Sequence, residues 1–256
     1  MGVLVALLAA ALVPLLRVPV LVALGSGAWL LSSGSTARLA LAAGVPIAII
    51  LVWGDLVGSR LLIDDFACAD PFSPVAWLRV AEAVLVIGAI VLLARHLGTS
   101  MTSLGLRRPN RTEALLGIAA VLLIPLPSLY IGAILAEPFF GPIRLDLAQP
   151  LAIVPALTLA IANGTMEELA YRGALMSWLS RAAGPVVGVV GQALIFGVAH
   201  TGPDFIGSPL PVVLTIMAGG LIAGLIVRRT GSLWLPIIVH IAFDVPLYYA
   251  AACRMG

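Results

Sequence analysis

Lysine is missing from this chain altogether, only 10% of its residues are charged, aromatic residues make up 6%, and cysteine occurs twice. Its basic residues are all arginines, scattered over short polar connections and not gathered on one face with interleaved aromatics. That distribution excludes a nucleic-acid surface as partner. Two isolated cysteines, Cys68 and Cys253, cannot form a disulfide framework or a thiolate metal centre, and they are expected to stay unpaired. The His-Glu-x-x-His zinc signature is also absent. A serine nucleophile has no suitable turn, because Gly25-Ser26-Gly27 lies beside a loop without a histidine partner. An aspartyl pair is lacking too, since Asp55 sits near the end of an apolar run and Asp244 follows a histidine.

Hydrophobic residues, by contrast, make up 61% of the 256 positions, and the mean hydropathy is +1.14. One soluble core of this size cannot hide so much apolar surface, so the excess must face lipid. The reading is an all-α, polytopic membrane helix bundle of about eight transmembrane helices, over residues 2–24, 37–57, 75–94, 113–136, 150–180, 185–201, 209–228 and 232–252. No connection is long enough to separate two folding units, so residues 1–256 are read as a single membrane domain. Met1-Gly2-Val3 has no basic segment ahead of the first apolar run, which is expected to be an uncleaved anchor. The longer span, 150–180, is interrupted by Asn163-Gly164-Thr165. Either the helix restarts at Thr165, which has capping-box spacing to Glu168, or it runs on with a polar patch.

Arginine placement gives an orientation once the spans are set. Arg38, Arg95, Arg107, Arg108, Arg111, Arg181, Arg228 and Arg229 fall on one side, and Arg60, Arg144 and Arg254 on the other. Both termini are therefore expected to be non-cytoplasmic, in a multi-pass protein of the cell membrane if the source is bacterial. Arg17 is expected to snorkel, Arg79 to pair with Glu82 at i,i+3, and His96 to sit in a loop.

Ionised groups at bilayer depth cost several kcal/mol, about 2.5–3.5 each on insertion scales, so a cluster of them needs a reason. Glu168 and Arg172 are four residues apart and share one helix face. Glu167 stands about 100° around the same helix, leaving a carboxylate free to take and give a proton. His200 closes Phe196-Gly-Val-Ala-His200, and His240 opens His240-Ile-Ala-Phe-Asp244, both in apolar runs. At 1.5 Å per residue, Glu167, His200 and Asp244 lie about 15–23 Å from the inner ends of their spans and His240 about 12 Å, close enough to converge. Asp244, one turn from His240, can fix the imidazole tautomer.

The run Glu167-Glu168-x-x-x-Arg172, then Phe196-x-x-x-His200, then His240-x-x-x-Asp244 resembles the three motifs of the CPBP family of intramembrane endopeptidases. That family includes the CAAX prenyl endopeptidases and bacterial proteins linked to bacteriocin processing and immunity. Gly231-Ser-Leu-Trp234 ahead of His240 also resembles the family, and the motif-bearing catalytic core spans approximately 150–252. The resemblance implies that Glu167 activates water, with His200 helping to hold it. It implies that His240 and Asp244 stabilise an oxyanion, and that Glu168, Arg172 and Phe196 are supporting residues. The last motif often ends in Asn, and Asp here can donate to an oxyanion only when protonated.

Zinc stays open, because Glu167, His200, His240 and Asp244 carry suitable N and O donors and family members are described both as metalloproteases and as metal-independent glutamate proteases. The expected partners are a peptide or protein substrate, lipidated or membrane-embedded, and membrane lipid. The alternative is a non-enzymatic membrane protein, a proton-coupled transporter or a bacteriocin-immunity scaffold, using the same buried polar cluster.

Overall fold

The computed structural model describes residues 1–32, 34–58, 74–140, 150–201 and 210–252. Cys68, Cys253, Arg60, Arg144 and Arg254 lie outside these described residues. All regular structure among the described residues is helical: α1 (Gly2–Leu12), α2 (Arg17–Leu30), α3 (Thr36–Trp53), α4 (Pro74–His96), α5 (Arg111–Leu123), α6 (Pro125–Phe140), α7 (Ile153–Glu167), α8 (Met176–Ala183), α9 (Pro185–Ala199), α10 (Leu210–Thr230) and α11 (Trp234–Ala252). Four helical stretches are long and apolar enough to cross a bilayer, at 36–57, 75–96, 150–183 and 210–230. The chain is an integral, multi-pass membrane protein.

The structure is the expected helical membrane bundle, and its apolar stretches are a mixture of long, bent and short helices. Residues 2–24 do not form one rod: Val13 is extended and Pro14 opens a short 3-10 turn. Proline removes the amide that would continue the helical ladder. The stretch 113–136 bends by 55° between Leu123 and Pro125. Shorter apolar helices at 2–12, 14–30, 185–199 and 234–250 complete the set. Outward faces remain apolar, with Leu122, Leu123 and Leu126 at least 70% exposed, which suits hydrocarbon as the neighbouring solvent.

Arg17 does not snorkel. It is 2% exposed, donating to the carbonyl oxygens of Ala10 and Leu51 and pairing with Asp55. The carbonyl left over where α1 ends, the start of α2 and the end of α3 are joined through this one guanidinium. His96 is likewise no loop residue: it ends α4, stacks on Trp29 with ring centroids 3.9 Å apart, and meets the Arg38 guanidinium.

The site is positioned by α4, α7, α9, α10 and α11, with α7 packed against both α4 and α11 and α9 against α10. Close approach along these seams depends on small residues. At Gly164, a Cβ would lie 3.1 Å from Ile241 Cγ1, so this glycine serves the contact of α7 with α11. The α8–α9 corner is tighter still, since a Cβ on Gly188 would fall 2.0 Å from Ser180 Oγ and 2.6 Å from the Met176 carbonyl oxygen. Gly188→Ala should therefore cost at least about 1–3 kcal/mol through overpacking. Thermal unfolding in detergent would check this, with Gly88→Ala, which meets nothing within 4 Å, expected to leave the midpoint unchanged.

Candidate active site

The fifth expected span has no break at Thr165. The helix runs through Asn163, Gly164 and Thr165 to Glu167 and then widens into a π-helical segment, Glu168–Leu175, before α8. The restart at Thr165 is thus overturned, along with any helix N-terminus aimed at the two glutamates. Backbone amides stay satisfied within the helix, and Gly164 is retained for packing. Single-turn π segments inside α-helices recur at functional sites, and this one carries Glu168, Tyr171 and Arg172, each at most 2% exposed.

His240 lies between the two neighbouring carboxylates. Its Nδ1 donates to Glu168 Oε1 at 2.9 Å, while its Nε2 is 3.7 Å from Glu167 Oε2. Two adjacent residues diverge around a helix, and an imidazole has nitrogens on opposite sides, so the ring spans the divergence. Glu168 also meets Arg172 Nη1 at 3.1 Å, and the guanidinium stacks 4.2 Å from the Phe196 ring centroid. Glu168 is therefore the residue that holds the His240 ring by its Nδ1–H. Asp244, expected to fix the imidazole tautomer, stands at the other nitrogen, with Oδ2 3.5 Å from Nε2.

Asp244 has a second partner that the motif residues do not include. Asn163 Nδ2 donates to its Oδ2 at 2.9 Å, joining α7 to α11. Asn163 is 5% exposed and stands four residues before Glu167, on the same helix face. A polar amide at that spacing inside an apolar run was the available signal. Phe196, on α9, packs edge-on against Tyr171 and His200, both with centroids 4.9 Å apart, and lies 6.4 Å from His240. His200 Nδ1 donates to the Phe196 carbonyl oxygen at 2.7 Å, which leaves Nε2 as the ring's acceptor nitrogen.

Glu167, Glu168, Arg172, Phe196, His200, His240 and Asp244 all line one cavity of about 610 Å³. Arg79, Glu82, Asn163 and Tyr248 contribute to the same wall. Among the described residues no group of three or more His, Cys, Asp or Glu side chains is placed to hold a metal ion. His240 Nδ1 is engaged by Glu168 and one Asp244 oxygen by Asn163, and His240 Nε2 is on the side of Glu167 and Asp244. What the arrangement offers is an acceptor pair, Glu167 and His200, facing a cavity opposite an imidazole with N–H donor capacity. Those are the components for activating a water and receiving a negative oxygen.

No curated protein and no solved structure matches the chain. A family description does, that of the type II CAAX prenyl endopeptidases, Rce1-like, and the matched segment holds α7 to α11 with every motif residue of the cavity. The segment of likeness to the Rce1-like type II CAAX prenyl endopeptidase family is residues 149–246, where the three motifs lie.

Proposed function

We propose that this chain is an intramembrane endopeptidase of the CAAX-protease type that hydrolyses a peptide bond with water activated by Glu167. The observation that carries the reading is the convergence of Glu167, His200 and His240, from three helices, on one cavity. Glu167 accepts a proton from the water, whose other hydrogen is held by His200 Nε2, and the hydroxide attacks the scissile carbonyl carbon. His240, held as the imidazolium between Glu168 and the cavity, donates from Nε2 to the oxygen that gains charge. Collapse of the tetrahedral intermediate breaks the C–N bond, and Glu167 returns its proton to the leaving amine.

Asp244 orients His240 together with Asn163 and accepts hydrogen bonds only, so the oxyanion depends on the imidazole. Arg172 keeps Glu168 ionised and in place. No step in this reading runs through a metal. The substrate class suggested by the family is a peptide ending Cys-aliphatic-aliphatic-X, prenylated at the cysteine.

The reading is tested by incubating purified protein in lipid nanodiscs with a farnesylated peptide of this kind and mapping products by mass spectrometry. One internal cleavage is expected, unchanged after treatment with a zinc chelator. Absence of any product, or loss of cleavage on chelation with recovery on zinc addition, would count against it.

A further inference from the structure

Three arginines line the cavity, and only one shows its head to it. Arg17 is buried against Asp55, and Arg172 lies beneath Phe196 and beside Glu168. The Arg79 side chain on α4 is 28% exposed, while its partner Glu82, bonded from Nη1 at 2.6 Å, is 4% exposed. Glu82 therefore stands behind the guanidinium and aims it, using one edge of a planar fork with five N–H donors. A second side-chain bond joins Arg79 to Tyr248, and the guanidinium lines a cavity that also holds Glu167, Glu168 and Asp244. Of the three arginines in this wall, Arg79 has the exposed side chain, so an anionic ligand group entering the cavity is met by that guanidinium.

The position along the helices sets a length. His240, Asp244 and Tyr248 follow at four-residue steps on α11, about 6 Å of rise each. Tyr248 packs on Val75 and Ala76 of α4, and Arg79 lies one turn along from that contact, between Tyr248 and Glu167 in electrostatic reach. The guanidinium is then roughly 6–12 Å along the bundle from the imidazole, which extended peptide at about 3.3 Å per residue spans in two to four residues. Arg79 also lies outside residues 149–246, so the segment carrying the motifs does not supply it.

We propose that Arg79 is a carboxylate-binding subsite that fixes how far from a negative group of the peptide the bond is cut, a function resting on the endopeptidase reading above. The carboxylate is either the free C-terminus of the peptide or an acidic side chain near the cleaved bond. Charge-assisted, bidentate contact with a carboxylate is the chemistry that a partly exposed arginine recognises best.

The test uses three farnesylated peptides of one sequence: a free acid, its C-terminal amide, and that amide with Glu as its last residue. Cleavage by the full chain and binding to its Glu167→Gln form are measured for each. The free acid, or the Glu-bearing amide, should be at least about tenfold favoured over the plain amide, which also tells the two sources of the carboxylate apart. Arg79→Gln should erase that preference, bringing the free acid and the Glu-bearing amide down to the level of the plain amide. Because Arg79→Gln strands Glu82, the double variant Arg79→Gln/Glu82→Gln is tested as well and should behave the same way, while Arg79→Lys should keep part of the preference. Equal handling of all three peptides by the unaltered protein, or a preference that survives in both Gln variants, would overturn the subsite. Discrimination in binding with no cleavage of any peptide would retire the hydrolytic role of Glu167 and leave the subsite standing.

Discussion

Glu167→Gln should reduce kcat/KM for peptide cleavage by about a hundredfold to ten-thousandfold, the range that a positioned acid–base group supplies. Gln has almost the same shape as Glu and fills the same space 3.7 Å from His240 Nε2, so the protein should express and unfold normally. The loss would then be chemical: an amide cannot accept the proton of the attacking water. Initial rates in nanodiscs, paired with a thermal unfolding midpoint for the same preparation, check both halves of this expectation. Retained cleavage in a preparation shown free of contaminating protease would remove Glu167 from the role of base.

Arg172→Met should have the largest effect on folding. The guanidinium is buried, pairs with a buried Glu168, and covers the Phe196 ring. Removing it leaves a carboxylate of 2% exposure with its charge met only by His240. Breaking a buried pair from one side costs about 3–5 kcal/mol, because the remaining ion keeps its desolvation penalty. The double variant Glu168→Gln/Arg172→Met should regain much of that stability, since neither charge is then buried. Activity should stay low in the double variant, because Gln at 168 no longer holds His240 as its carboxylate partner. Unfolding midpoints and cleavage rates measured side by side separate these outcomes. Stability that falls equally in the single and double variants would mean that Arg172 acts chiefly by packing.

The chemistry of the site was legible because an apolar chain makes its polar residues conspicuous. Glu167, Glu168, Arg172, His200, His240 and Asp244 stand out in apolar runs, and four-residue spacings place them on helix faces. Which of them touch was not legible, since pairing across helices depends on axial registration. His240 is oriented by Glu168, 72 positions away, and Asp244 is held by Asn163, 81 positions away. Arg79 and Glu82 were readable as an i,i+3 pair, yet their approach to the cavity follows from the packing of α4 on α7.

Fold boundaries failed for local reasons of a similar kind. Hydropathy averages across Val13-Pro14 and across Leu123 to Pro125, where one missing amide ends or bends a helix while the composition stays apolar. The polar patch at Asn163–Thr165 misled in the opposite direction. It has the residue types of a helix start, but in a packed membrane bundle the glycine serves a close helix contact and the asparagine finds its partner on α11.

A double-mutant cycle on Glu167→Gln and His200→Ala, read as kcat/KM for one farnesylated peptide, asks whether the two side chains act on the same water. Residues that work as a unit lose their effect together, so the double variant should be no slower than the slower single variant. Losses that multiply, as they do for independent sites, would contradict a shared nucleophile held between α7 and α9.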